Sequence, residues 1–452
     1  VKITWAKKGL WGVTGAFLGA FVVLATTVVA DKDAPATTEQ VSKQLPLKEL
    51  RAFVEVYERV ANDYVEPVDD KKLLEGAISG LLSNLDPHSA YLPPKDYKEM
   101  EEHTTGEFGG LGMEVGLEDG FVKVISPIDD TPAQEAGVKA GDLIIKLDEE
   151  PTKGKTLNES VKVMRGKPGS TIKLTIVRKG EDKPIELELT RAVIKVKSVK
   201  QKLLTDGMGY VRISQFQIRT GEDLTDSIAK LTEENKAPLN GLVLDLRNNP
   251  GGVLRAAVQV SDAFLNKGLI VYTKGRVENS QMRFEAENGD VMKGKPIIVL
   301  INEGSASASE IVAGALQDQK RALIAGRTSF GKGSVQTLLP LNNGGAIKVT
   351  TARYFTPSGR SIQAEGIKPD IKIDLVKVEK REETMDRVKE KDLSGHLDHV
   401  DDKKQTVKTE EQTKDEARLK ELDETLAKDF ELHEALNLLK GMAFTQAMNQ
   451  AN

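Results

Sequence analysis

A chain of 452 residues with 39% hydrophobic content has room for two or three domains and at least one sizeable core. Its 64 basic and 69 acidic residues nearly cancel to a formal net charge of -5, which leaves no electrostatic footprint for nucleic acid. Cysteine is absent, which excludes disulfides, thiol catalysis and Cys-ligated zinc. The five histidines are His88, His103, His396, His399 and His433, so the stretch from 104 to 395 must manage any catalysis without imidazole.

The N-terminus places Lys2, Lys7 and Lys8 before an apolar run from Leu10 to Ala30. That pattern reads as an export signal, with small residues at Val28-Val29-Ala30 for cleavage, and the alternative is an uncleaved membrane anchor. Either way the rest of the chain is expected outside the cytoplasm. Residues 31–44 are polar and read as a linker, and 45–104 as a helical region, with Leu47, Leu50, Phe53, Val54, Tyr57 and Val60 at three- and four-residue steps. A second stripe runs through Leu73, Leu74, Ala77, Ile78, Leu81 and Leu82, and both stripes suit either self-association or covering the edge of the core.

Residues 105–192 alternate short strands and turns and predict a small β domain. Between 193 and 375, strands such as Gly241–Leu246 and Pro296–Ile301 alternate with helices such as Glu222–Asn235 and Leu254–Phe264, which predicts an α/β core. The stretch from 376 to 430 has 30 charged residues among 55, so 376–420 reads as a charged linker unable to pack a core. Residues 421–452 then form a helical region with an apolar face at Leu432, Ala435, Leu436, Leu438, Leu439, Met442 and Ala443, expected to dock on this chain or on a second copy.

Three segments could carry chemistry. The apolar strand ending at Ile301 runs into Asn302-Glu-Gly-Ser-Ala-Ser-Ala-Ser-Glu310 and a helix from Ile311. A small-residue turn at a helix start exposes a nucleophile where free N–H groups can hold an oxyanion. The same Ser307-x-x-Glu310 is a capping box, and the serines at 305, 307 and 309 leave the nucleophile open. The turn Asp245-Leu-Arg-Asn-Asn-Pro-Gly-Gly252 lets backbone approach a substrate closely. Gly326-Arg-Thr-Ser-Phe-Gly-Lys-Gly-Ser-Val-Gln336 has phosphate-loop spacing, but Gly333 stands where Ser or Thr is needed and a strand is predicted where a helix should open. Lys332, between glycines and beside Phe330, is better suited to burial that lowers its pKa and makes it a base for a serine.

Together these segments resemble the C-terminal processing peptidases, tail-specific serine proteases with a PDZ domain. The likeness runs from Asp86-Pro-His-Ser-Ala-Tyr-Leu92 to Pro369-Asp370. It implies a mixed α/β and β multidomain chain: a PDZ domain at 105–192 joined to an α/β serine-protease core at 193–375, with helical N- and C-terminal extensions. It implies Ser307 as nucleophile, Lys332 as base and Gln336 to orient the lysine, with no metal or organic cofactor. The oxyanion donors would be the N–H of Ala308 and of Gly251 or Gly252. Gly110, Leu111, Gly112 and Met113 resemble the loop that binds a substrate's terminal carboxylate, with Arg165 reporting the docked tail. The resemblance further implies an exported enzyme of the periplasm or cell envelope, peptide or protein substrates with exposed C-termini, a homo-oligomer and, in some relatives, an activating adaptor protein. The contrasting expectation is a PDZ scaffold or chaperone without turnover.

Overall fold

Each residue of the strand Ile297–Ile301 is apolar and each is buried, as expected for a strand covered on both faces. Successive side chains alternate between the faces. Ile297, Val299 and Ile301 join one apolar cluster with Leu224, Ile228, Leu231, Ala257, Val260 and Val312, while Ile298 and Leu300 join another with Leu432, Ala435, Leu436 and Leu439. The first partner layer is the helices Thr220–Asn235, Leu254–Asp262 and Ala308–Asp318; the second is the terminal helix Phe430–Ala451. The terminal apolar face thus docks on this chain's own sheet.

The structure is a computed structural model and describes residues 45–277, 281–287, 289–374, 376, 394 and 429–451. The expected signal or anchor at 1–30, the linker at 31–44, nearly all of the charged linker at 376–420 and the residues 421–428 lie outside the described residues. No helix among the described residues is long and apolar enough to cross a membrane.

The central sheet has the order Val199–Leu203, Met208–Ile213, Gly241–Asp245, Ile297–Ile301, Leu323–Gly326, Ile371–Lys372, parallel except for its first pair. A second, antiparallel sheet is built around the long strand Ala346–Phe355, which pairs with Ser334–Pro340, Gly268–Gly275 and Ala90–Leu92, and Gly268–Gly275 pairs with Arg283–Ala286. The region 45–104 is therefore not helical throughout: Ala90–Leu92 is a strand of this sheet, followed by the helix Pro94–Thr105. Period-3.6 reading missed the strand because three residues are too short to show alternation.

The described chain divides after Asp69. Before it, the helix Leu47–Asp63 buries none of its residues, and Leu47, Leu50, Phe53, Val54 and Val60 remain exposed. The small β domain has the sheet order Met113–Glu118, Phe121–Pro127, Leu143–Leu147, Thr171–Val177, Ile185–Thr190, with the helix Leu157–Met164 contributing to its core. Its incoming strand Glu107–Gly110 and outgoing strand Ala192–Lys195 pair as a two-stranded ribbon, and the Val196 N–H donates to the Gly106 carbonyl at 2.9 Å.

Candidate active site

Ser307 sits between the strand Ile297–Ile301 and the helix Ala308–Asp318 with φ 56° and ψ -110°, a conformation that costs a non-glycine residue strain and recurs at functional turns. Hydrogen bonds to the neighbouring turn hold it there. The Ser305 hydroxyl donates to the Leu246 carbonyl at 2.8 Å, the Ser309 hydroxyl to the Asn249 carbonyl at 2.9 Å, and the Ala306 N–H to the Asn249 carbonyl at 2.9 Å. These bonds distinguish the three serines: Ser305 and Ser309 are buried and engaged, whereas Ser307 is half-buried and lines an open cleft of about 480 Å³.

Glu310 is fully buried and does more than cap the helix. Its carboxylate accepts from the Ser307 N–H at 2.7 Å, as a capping box requires. It also accepts from the Ser329 hydroxyl at 2.6 Å, the Gly331 N–H at 2.6 Å and the Lys332 N–H at 2.9 Å. One carboxylate therefore ties the serine turn to the lysine loop, with charge-assisted bonds to both.

Lys332 is half-buried in the same cleft. Burial first, and then the Lys348 ammonium, push its amine below the ordinary lysine range, with Glu310 and Asp86 opposing. Phe330 is 63% exposed and does not line the cleft, while its N–H donates to the Ser305 carbonyl. The Tyr354 hydroxyl donates to the Lys332 carbonyl. Burial, then the Glu310 carboxylate, raise that phenol far above its usual value, so it stays a neutral donor beside Ser307. Gln336 also lines the cleft, and its amide donates to the Ser334 hydroxyl at 2.9 Å and the Thr350 hydroxyl at 3.2 Å rather than to Lys332.

The accounting of N–H groups separates the two glycines. Gly251 donates to Asn249 Oδ1 at 2.9 Å, whereas the N–H groups of Gly252 and Ala308 have no partner among the described residues, and both residues line the cleft. Gly251 is needed for space: a Cβ there would lie 2.8 Å from Ser307 Cβ and 2.7 Å from the Ala306 carbonyl oxygen.

The absence of histidine from 104 to 395 does not keep imidazole away. His103, on the helix Pro94–Thr105, lines the cleft, and His88 lies close enough to Lys332 that burial and then the lysine charge lower its pKa. Both lie outside the central stretch in sequence and return through the fold.

In the β domain, residues 110–113 lead into Met113–Glu118, which is an edge strand of its sheet. The N–H groups of Leu111 and Gly112 have no partner among the described residues. Gly112 has φ 79°, and a Cβ there would fall 2.3 Å from Thr131 Cβ. Arg165 is engaged elsewhere: its guanidinium lies 4.3 Å from the Phe108 ring centroid and 3.4 Å from the Glu102 carboxylate on the helix Pro94–Thr105. That helix also lines the cleft through Met100, His103 and Thr104.

Residues 207–373 match peptidase family S41, residues 109–189 match the PDZ domain, and residues 10–95 match the activating protease CtpB N-terminal domain. A carboxy-terminal-processing protease of Bartonella bacilliformis is 50% identical over 395 residues, covering 86% of this chain and 88% of the relative. The carboxy-terminal processing protease CtpA of Bacillus subtilis is 37% identical over 329 residues, covering 71% and 68%. Among solved structures, the photosystem II D1 C-terminal processing protease aligns at 30% identity with a TM-score of 0.42, covering 72% of this chain and 93% of that one.

Proposed function

Because the chain belongs to the carboxy-terminal processing proteases of peptidase family S41 and carries a PDZ domain, we propose that this serine peptidase cleaves exported proteins near their C-termini with Ser307 as nucleophile and Lys332 as general base. The observation that carries the reading is the cleft itself. A strained serine at a helix start shares it with a lysine whose amine is held below its ordinary pKa, and with two unpartnered N–H groups.

In this mechanism the neutral Lys332 amine takes the Ser307 hydroxyl proton as Oγ attacks the scissile carbonyl. The N–H groups of Ala308 and Gly252 receive the oxyanion, since the Gly251 N–H is already committed. The protonated lysine gives its proton to the leaving amine, and water releases the acyl-enzyme. Gln336 lines the same cleft as Lys332, and we assign its amide oxygen to accept from the ammonium. The PDZ loop amides of Leu111 and Gly112 receive the substrate's terminal carboxylate, and Arg165 leaves Glu102 when a tail docks.

The basic-then-apolar N-terminus supports action in the periplasm or cell envelope, with cleavage of that segment or anchoring by it. The exposed apolar face of the helix Leu47–Asp63 supports self-association, and an adaptor protein of the kind some relatives use would act on the same enzyme.

The test is hydrolysis of a fluorogenic peptide with a free C-terminus. Ser307→Ala and Lys332→Ala are each expected to lower kcat by at least about a thousandfold. In the parent enzyme kcat should rise with pH through a value below the ordinary lysine range, because the base works only when neutral. Undiminished cleavage by Ser307→Ala would overturn the assignment and leave a peptide-binding scaffold.

A further inference from the structure

The segment Asp86-Pro-His-Ser-Ala-Tyr-Leu92 is not used by the dyad, yet the fold delivers it to the base. The strand Ala90–Leu92 pairs with Ala346–Phe355 so that Ala90 stands opposite Lys348. Tyr91 and Leu92 are buried, and the Tyr91 hydroxyl accepts from the Asn343 amide at 2.8 Å. This anchors the residues just before the strand.

Asp86 accepts from the N–H groups of His88 and Ser89 at 2.8 and 3.0 Å and from the Ser89 hydroxyl at 2.7 Å. A local turn would account for those three bonds. It does not account for the fourth, in which the Thr350 hydroxyl, on a different strand, donates to Asp86 Oδ1 at 3.2 Å. Thr350 Oγ1 in turn accepts from the Gln336 amide at 3.2 Å, and the Thr350 N–H donates to Ser89 Oγ at 3.2 Å. The result is a polarised line from a carboxylate, through one hydroxyl, to an amide lining the same cleft as Lys332.

Charged and titratable groups face Lys332 from every side. Asp86 and His88 come from this segment, Lys348 and Tyr354 from the strand Ala346–Phe355, Glu310 from the helix Ala308–Asp318, and His103 lines the same cleft from the helix Pro94–Thr105. Lys348 disfavours the charged form of both Lys332 and His88, whereas Asp86 favours it in both. Burial works to raise the Asp86 carboxyl, but its bonds from Ser89, His88 and Thr350 prevail and hold it below its usual range, so it is ionised wherever the enzyme works.

Resting on the Ser307–Lys332 reading, we propose that Asp86 is a positioning residue of this peptidase: through Thr350 it orients the Gln336 amide, and its charge offsets that of Lys348 across the base. A proton acceptor subject to the carboxylates of Glu310 and Asp86 and to the ammonium of Lys348 responds to the loss of Asp86 and of Lys348 in opposite directions. Losing Asp86 removes a charge that favours the ammonium; losing Lys348 removes one that disfavours it.

The experiment measures kcat, KM and the pH dependence of kcat for the full chain on the fluorogenic peptide, alongside melting temperature. Thr350→Val, which keeps volume and removes the hydroxyl, is expected to lower kcat about ten- to a hundredfold with KM little changed, and Thr350→Ser to restore it. The acid limb of the kcat profile should move to lower pH in Asp86→Asn and to higher pH in Lys348→Gln. Unchanged kcat in Thr350→Val, failure of Thr350→Ser to restore it, or limbs that move together would each overturn the proposal. Should Asp86→Asn not fold, the Thr350 pair and Lys348→Gln decide the matter. Ser307→Ala in the same assay separates the two readings: its activity would sink the dyad itself, whereas an inactive Ser307→Ala beside unaltered Asp86→Asn and Thr350→Val would sink only this positioning role.

Discussion

A carboxylate without exposed surface needs donors for its lone pairs, and Glu310 has four, two on each oxygen. Glu310→Gln keeps the shape but turns an amide nitrogen toward two of them, leaving buried donors unpaired at about 1–3 kcal/mol each. We expect a loss of about 2–6 kcal/mol in stability by denaturant titration, together with a fall in kcat larger than any change in KM, because the Ser307 and Lys332 turns lose their common anchor. In the sequence, Ser307-x-x-Glu310 reads as a capping box, and that part is real for the backbone bond. The other donors lie 19 to 22 positions further on, beyond any local pattern. The resemblance picks Ser307, but the local pattern does not separate it from its neighbours for a similar reason: Ser305 and Ser309 are engaged by a turn 59 and 60 residues earlier.

Among the elements, the terminal helix Phe430–Ala451 was legible as an apolar face, since Leu432, Ala435, Leu436 and Leu439 recur at helical spacing and are buried. Its attachment was not. Arg247, read only as part of a glycine turn, is buried and pairs with Asp245 at 2.7 Å, with Asp429 at 2.8 Å and with Glu431 at 2.8 Å. Two of those carboxylates come from the charged stretch and the helix start, where composition says only that a segment is solvated. Arg247→Ala would leave Asp429 without its cation while Asp245 keeps Arg212 and Glu431 keeps Arg327, and we expect destabilisation by about 1–3 kcal/mol and faster proteolysis within 430–451. Desolvation acts to raise Asp429, but the Arg247 bond outweighs it and lowers its pKa. A carboxyl lowered in the folded state contributes stability above its unfolded value of about 4 and loses it as pH falls through the folded one. Release of the helix followed by proteolysis should therefore begin only below about pH 4.

For the molecule as a whole, a small β domain and an α/β core were legible from periodicity and turn chemistry, and the resemblance made them a PDZ domain and a peptidase core. Their junction was not, since it depends on Arg165 meeting Glu102 across 63 positions. That half-exposed pair contributes at most about 1 kcal/mol, so it suits the contact that we propose breaks when a tail docks. Recognition of that tail should depend on its carboxylate. A peptide ending in a free carboxyl should show a KM at least about tenfold below that of its C-terminal amide, and Gly112→Ala, which drives a Cβ into Thr131, should erase the difference. Equal KM values for the two peptides in the parent enzyme would exclude the loop as the carboxylate site.

The ribbon formed by Glu107–Gly110 and Ala192–Lys195 brings both ends of the PDZ domain to one spot, closed by the bond from Val196 to Gly106. A module plugged in at one socket can be exchanged like a cartridge without re-threading the catalytic sheet. On the proposed reading, the choice of what is cut and the act of cutting are thereby free to diversify at different rates.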